Sequence, residues 1–383
     1  MTRQARTFSD VGSMLRELQP AEPVYCIHSQ VYLDTAREFV AGFPGRVLYA
    51  VKANDHPEVV RLLHRGGVEH FDCASLPEIE LVHRQCPGAT AYFMIPARLR
   101  GAARAAQDNF GVRHFMIDHA NGLELLVNEI DMPRSVVFAR MATQHASAMQ
   151  ELSSKFGAPP EAIPALLEAI ADRGAEPALA FNVGTGVTSP EAYSWAIDLT
   201  AEVLDKAAMR VRLIDIGGGY AKSYPGFPVP PIADYFAVIE EAARKLPLAP
   251  GGEMLGEPGR ALAAPGLSAV VEVLLRKEDR LYINDGMYGI FWELRFRGHD
   301  RYPVRAFRDG EEHGGPTRSF KLFGPTCDAT DVLPGAVELP ADIMPGDHLE
   351  FSSIGAYSLA GRTRFNGHYS DLVVTIERRE SAG

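Results

Sequence analysis

The sequence predicts an α/β protein, a (β/α)8 TIM-type barrel followed by a C-terminal all-β domain. Three observations carry that expectation. Short β-rich runs alternate with helical segments eight times over about 215 residues, the size of such a barrel. Several of the runs are apolar throughout, as parallel strands covered on both faces are. After "PGRALAAPG" the texture changes to short β-like runs rich in glycine and proline, with no long amphipathic helix. The expected division is a barrel over 28–265 and a β-sandwich or barrel-like domain built from 1–27 and 266–383. An open doubly wound sheet is the competing architecture.

The expected barrel strands are "RVLYAVKA" (46–53), "EHFDCA" (69–74), "TAYFMI" (90–95), "VRHFMID" (112–118), "SVVFARMA" (135–142), "PALAFNV" (177–183), "RVRLIDIG" (210–217) and "EMLGEPG" (253–259). Between them, "LPEIELVHRQ" and "PEAIPALLEAIADRG" carry apolar residues at helical spacing. In "TSPEAYSWAIDL", Ser189 is read as the N-cap and Pro190 as the first helical residue. Further on, "SAVVEVLLRKEDRLYINDG" reads as two strands, and "HLEFSSI" and "DLVVTIE" as later ones. The N-terminal "PVYCIH" is expected to join them.

At 383 residues the chain is too long for one ordinary core, which fits this division. Its 46% hydrophobic and 23% charged residues are ordinary for a soluble protein. A net charge of −11 argues against nucleic acid or an anionic membrane as partner. No apolar run is long enough to span a bilayer, and the start lacks a secretory apolar segment. Cys26, Cys73, Cys86 and Cys327 form no CxxC pair, which fits reduced thiols in the cytoplasm. The twelve histidines include no HExxH spacing, so no metal is expected.

Chemistry in a barrel sits where the strands end. Those ends hold Lys52, Asp72, Arg140, "NVGTG" (182–186), "IGGGY" (216–220) and "GEPGR" (256–260). Lys52 closes an otherwise apolar strand, which by itself marks only a strand reaching solvent. Two glycine-bearing turns and an arginine suggest a phosphate cradle, because glycine lets backbone N–H groups approach the oxygens. "GGGYAK" matches neither the dinucleotide nor the P-loop spacing. Phosphate cradle, lysine and carboxylate together point to pyridoxal phosphate (PLP). There a partly desolvated lysine amine forms a Schiff base and an acid pairs with the pyridinium nitrogen.

The chain resembles the alanine-racemase-fold PLP decarboxylases (fold type III), closest to the ornithine/diaminopimelate decarboxylase family and its ornithine decarboxylase group. The matching stretches run in order: "YAVKAND", "FDCASLPEIELV", "SKFGA", "NVGTG", "LIDIGGGY", "GEPGR", "NDGMYG", "FGPTCDATD", "GAY" and "FNG". The resemblance implies a cytoplasmic head-to-tail homodimer that decarboxylates a small amino acid, with active sites at the subunit interface. It implies that Lys52 forms the Schiff base and that Glu257 keeps the ring nitrogen protonated. Thr185, Gly217, Gly218, Gly219, Gly259, Arg260 and Tyr357 belong to the phosphate-binding motifs, and Asp72, Arg140 and Asn182 lie near the cofactor. Cys327, from the partner subunit, would return a proton to Cα, and Asp328 beside it would contact the substrate's distal amino group.

The chain departs from the family pattern at two places. Asn182 stands where the family usually has a histidine stacked on the cofactor. Arg297 stands where ornithine decarboxylases have an aspartate, twelve residues after the aspartate of "NDG" (here Asp285). An arginine there would repel a distal ammonium and pair instead with a carboxylate or another acceptor. A shifted alignment would let Glu293 or Asp300 supply the acid instead. Tyr288 is read as a wall of the substrate pocket, the arginines of "ARLRGAARAA" as a solvated helix face, and His299 with Asp300 as a surface pair. Two other readings remain: an amino-acid racemase on the same fold, where arginine typically faces the pyridine nitrogen, and a catalytically silent PLP-binding regulatory homologue.

Overall fold

The structure, a computed structural model, describes residues 6–150, 152–297 and 302–377. It divides into two compact units. The first comprises Ala36–Lys222 and Val229–Leu262, and the second comprises the chain up to Thr35, Ser223–Pro228 and the chain from Ala263 on.

The first unit is a closed barrel of eight parallel strands. They are β1 (Arg46–Ala50), β2 (His70–Cys73), β3 (Thr90–Phe93), β4 (His114–Ile117), β5 (Val136–Met141), β6 (Glu176–Phe181), β7 (Val211–Asp215) and β8 (Leu248–Gly256). Closure excludes the open sheet: β8 pairs with β7 and also with β1, placing Leu255 opposite Arg46 and Gly256 opposite Val47. The expected strand runs all contain these strands, apart from a longer start to β8 and a one-residue earlier start to β6. Alternate residues from seven strands fill the interior. Leu48, Tyr92, Met116, Phe138, Ala178, Ala180, Leu213 and Leu255 form one buried cluster with Met94. Truncating a large member such as Phe138 to alanine would cost about 3–5 kcal/mol, because the packed layer cannot collapse into the space.

The expected helices form over Leu76–Gln85 and Ile163–Asp172. The cap at "TSPE" differs from expectation. The helix Glu191–Lys206 has Pro190, not Ser189, at its cap position, and the Ser189 hydroxyl donates to the Glu191 carboxylate. Arg98 also departs from the solvated face expected of it. It donates to the carbonyls of Ile95 and Met116, since a half-buried guanidinium needs acceptors.

In the second unit Val24–His28 pairs antiparallel with Leu267–Lys277 and parallel with Val373–Ile376. These strands belong to a ten-stranded sheet among the described residues. Phe8, Val11, Met14 and Leu15 cover it together with Val24, Val270, Phe307 and Val374. Among the described residues no helix is long and apolar enough to cross a membrane.

The N-terminal end of the barrel is plugged by polar residues. Arg46 pairs with Glu253 and donates to the Tyr92 hydroxyl at 2.9 Å, and the His114 ring stacks on Tyr92 at 3.9 Å. Burial pushes His70 down to about 4 and His114 to about 3, with the Arg46 charge acting in the same direction. A histidine whose folded value is depressed contributes stability above its unfolded value near 6.5 and loses it as pH falls toward the folded one. Urea unfolding across pH is therefore expected to show the wild-type chain losing stability between pH 6.5 and 4 more steeply than His70→Asn/His114→Phe. Equal slopes would contradict this.

Candidate active site

At the opposite, C-terminal end of the barrel the polypeptide gathers acids around one lysine. β1 ends at Ala50, whose N–H donates to the Pro258 carbonyl at 3.1 Å, so the strand end is tied to "GEPGR". A 3-10 turn over Val51–Ala53 follows and carries Lys52 outward. Its Nζ lies 2.6 Å from Asp72 Oδ2 at the end of β2. The Lys52 side chain is 46% exposed and that of Asp72 1%. An ion pair therefore orients the amine, rather than full insulation from solvent.

The turn after β2 begins the helix Leu76–Gln85. The Ser75 hydroxyl accepts from the Glu78 N–H, and the Glu78 carboxylate accepts from the Ala74 N–H at 2.6 Å. Burial raises Glu78 to about 7, Asp72 raises it further, and Lys52 and the Ala74 hydrogen bond oppose the rise. Asp215 closes β7. Its Oδ1 accepts from the Gly217 N–H at 2.8 Å, and burial raises it to about 6. Glu257 follows β8, and burial beside Asp215 and Asp72 pushes its carboxyl well above the usual range. Asp72 Oδ1, Asp215 Oδ2 and Glu257 Oε1 are all buried with no N–H or hydroxyl donor facing them, and the Asp215 and Glu257 carboxyls bond to each other when one of them carries a proton.

The glycine turn fits closely against these acids. Gly217 has φ +71°, a conformation that glycine adopts without strain, and a Cβ on Gly218 would lie 2.5 Å from the Glu257 carbonyl oxygen. The Glu257 N–H donates to Gly217 and the Tyr193 hydroxyl to Gly218. Asn182 closes its own loop, its Oδ1 accepting from the Gly184 N–H at 3.0 Å, with its amide nitrogen against Gly217. The backbone of Thr185 pairs with Gln150. Arg140, on β5, stands over the Phe156 ring of "SKFGA" at 5.7 Å. Gly259 and Arg260 are buried, and Arg260 opens the short helix Arg260–Ala263.

The second unit carries its own cluster. The "GPTCD" loop holds Cys327, exposed, whose N–H and Sγ both face Asn366 Oδ1 at 3.3 Å. The Tyr288 hydroxyl donates to Asp328, and the Thr330 N–H donates to it at 2.8 Å. Those bonds, with the Arg295 charge nearby, hold the Asp328 carboxyl below the usual range. Asp331 braces the loop: it accepts from the Met287 N–H, the Thr326 N–H and the Thr326 hydroxyl. Tyr357 adopts φ +54°, uncommon for a side chain of its size. Glu293 is 5% exposed and takes the Tyr302 hydroxyl, so it is spent inside the unit. The side chain of Arg297, and His299 and Asp300 entirely, lie outside the described residues.

Sequence reasoning missed Asp215, Glu78 and Asp331. An acid inside the apolar "RLIDIG" and a glutamate at the start of a capped helix were the available signals for the first two.

Residues 31–264 match the model of the family "Pyridoxal-dependent decarboxylase, pyridoxal binding domain". The chain belongs to the pyridoxal-dependent decarboxylases. It is 32% identical to a lysine/ornithine decarboxylase of Selenomonas ruminantium, over 86% of this chain and 83% of that protein. It is equally 32% identical to antizyme inhibitor 2 of Xenopus laevis, over 83% and 73%. Among solved structures, the lysine/ornithine decarboxylase of Vibrio vulnificus complexed with cadaverine has TM-score 0.82 at 28% identity, covering 95% of this chain and 97% of that one. The Paramecium bursaria Chlorella virus arginine decarboxylase bound to agmatine has TM-score 0.84 at 25% identity, covering 96% and 99%.

PLP is the cofactor of this family, and the residues present fit it. A cationic ring nitrogen would give a charged partner to the Glu257 oxygen that no donor faces, and the close fit of Gly218 against the Glu257 backbone brings the glycine turn to the same place. A carboxyl raised by burial loses its stabilising contribution as pH rises through its folded value. In chain prepared without PLP, Glu257→Gln is therefore expected to melt higher than wild type at pH 8 and at the same temperature as wild type at pH 4. Calorimetric melting at the two pH values checks this. A destabilised variant at pH 8 would contradict it.

Proposed function

We propose that this PLP-dependent decarboxylase removes the α-carboxylate of a small amino acid with an ornithine-, lysine- or related side chain, releasing CO2 and an amine. The observation that carries the residue assignment is the Lys52–Asp72 pair beside a buried glutamate, one oxygen of which no N–H or hydroxyl donor faces. Bound PLP supplies an electron sink for the pair released when a bond at the substrate's Cα breaks. Lys52 supplies the amine that bonds the cofactor, and Asp72 orients that amine. Glu257 holds a proton at the ring nitrogen. Thr185, the turn Gly217–Gly219, Gly259 and Arg260 hold the phosphate, joined by Tyr357 on the strength of its "GAY" motif. Arg140 and Asn182 line the cofactor.

Cys327 delivers a proton from Sγ to Cα after CO2 leaves, and the Asn366 carbonyl orients that thiol. Asp328, with Tyr288, meets the distal group of the substrate. Arg297 is retained as a contributor there from its place in the sequence. The exposure of Cys327 supports its working in the site of a second copy, in a head-to-tail homodimer. Four free cysteines support a reducing, cytoplasmic setting.

The silent homologue is the second reading. A relative named as an inhibitor favours it, as does Asn182, whose amide oxygen is committed to its own loop. Retention of Lys52, Glu257, Arg260 and Cys327 weighs more heavily against it. Glu257, an acid rather than an arginine, weighs against the racemase.

The PLP-loaded protein should release CO2 from at least one member of an amino-acid panel, and borohydride should fix the cofactor's mass on the Lys52 peptide. Lys52→Ala should lose roughly a thousandfold or more in turnover. No CO2 from any amino acid would favour the silent homologue. Mixing Lys52→Ala with Cys327→Ala, each inactive alone, should restore turnover if one site takes Lys52 and Cys327 from different copies. A mixture as inactive as its parts would remove the shared site.

A further inference from the structure

The resemblance directs attention to Arg297, but the structure brings a different arginine to the distal-group residues. The Arg295 guanidinium carbon lies 4.4 Å from the centroid of the Tyr288 ring, and Phe365 stacks on the same ring at 4.5 Å and 29°. Tyr288 therefore packs against both a cation and an aromatic plane. The Tyr288 hydroxyl in turn donates to Asp328. The Tyr288 carbonyl accepts from both the N–H and the hydroxyl of Thr363, which fixes the backbone beneath the ring. Arg295 is exposed, and its charge reaches Asp328. Cys327 is the neighbour of Asp328 in sequence and is held by Asn366, next to Phe365.

A subsite holding an aspartate alone attracts a terminal ammonium. The same aspartate, with a guanidinium standing on the ring of the tyrosine that donates to it, belongs to a mixed subsite rather than a purely anionic one. It presents an acceptor and a planar set of donors together. The group that satisfies both offers an N–H and a carbonyl oxygen on the same carbon. A bare ammonium satisfies only the acid and is repelled by the arginine.

We propose that Arg295 is a specificity-determining residue, and that with Asp328 it selects an amino acid whose side chain ends in a carbamoyl or ureido group over one ending in an ammonium. This rests on the decarboxylase reading and on Asp328 meeting the substrate's distal end. Arg295 acts on binding rather than on bond breaking, so its effect falls on KM more than on kcat.

The test uses the full-length, PLP-loaded protein and Arg295→Met, which keeps an unbranched apolar stem and removes the charged guanidinium. CO2 release is measured from ornithine, lysine, glutamine and citrulline. In parallel, calorimetry measures binding of 1,4-diaminobutane and 4-aminobutanamide. Wild type should prefer glutamine or citrulline. Arg295→Met should move the kcat/KM ratio about five- to tenfold toward ornithine or lysine, mainly through KM, with the same shift in the two binding constants. Arg295→Lys should still disfavour the diamine while losing preference for the amide, because an ammonium lacks the planar fork. CO2 release with both ratios unmoved in Arg295→Met, or a wild-type preference for ornithine or lysine, would overturn the inference and leave the decarboxylase reading standing. No CO2 from any of the four and no binding of either amine would overturn both.

Discussion

Three carboxyl groups, Asp72, Asp215 and Glu257, are packed at the mouth of the barrel with almost no access to water. Burial of a carboxylate costs several kcal/mol unless a cation or hydrogen-bond donors compensate it. Asp72 is compensated by Lys52 and Asp215 in part by the Gly217 N–H, and each of the three acids keeps one oxygen that no N–H or hydroxyl donor faces. The barrel holds this arrangement because its interior is filled by a continuous apolar layer and its strands close on themselves. The stability of the sheet offsets the local cost of the site. The same repulsion that raises Glu257 becomes useful once a positively charged ring nitrogen sits beside it, because the acid then has a reason to ionise.

The second unit solves a different problem, that of holding an exposed loop in one conformation. Asp331 does this by accepting from Met287 and Thr326 at once, which ties "NDGMYG" to "GPTCDATD". Asp285, buried and pushed up to about 6, does the same for its own turn through the N–H groups of Gly286 and Ile290 and through the Tyr25 hydroxyl. With those turns fixed, the half-buried Asp328 and Tyr288 and the exposed Cys327 and Arg295 are presented with defined neighbours. Rigid presentation would matter for the proposed delivery of a proton from the Cys327 thiol to one face of a carbon atom.

Much of this was legible from residue pattern. Eight apolar runs at regular spacing specified the barrel strands, because parallel strands buried on both faces need uninterrupted apolar sequence. Lys52 and Glu257 stood out as charges at the ends of such runs. The assignment of the lysine to a cofactor came from the order of ten motifs, not from the strand alone. Asp215 and Glu78 escaped notice because their importance lies in being buried beside another acid, and burial against a neighbour from a different strand is a property of the closed barrel. Ser189 does not cap the helix: its hydroxyl donates to the charged carboxylate of Glu191, two residues on, instead of accepting from a helix N–H. Arg295 was invisible for a similar reason: nothing in "WELRFRG" marks which of two arginines stands on the ring of Tyr288.

Burial among other acids makes Glu257 keep its proton above the ordinary carboxylate range, even with Lys52 in the cluster. Infrared difference spectroscopy at pH 6 on chain prepared without PLP measures this directly, since an ordinary glutamic acid is ionised there. The account predicts a protonated-carboxyl stretch that is missing in Glu257→Gln and that disappears when PLP is added. Absence of that band in the wild-type chain, or a band that persists unchanged after PLP binds, would contradict it.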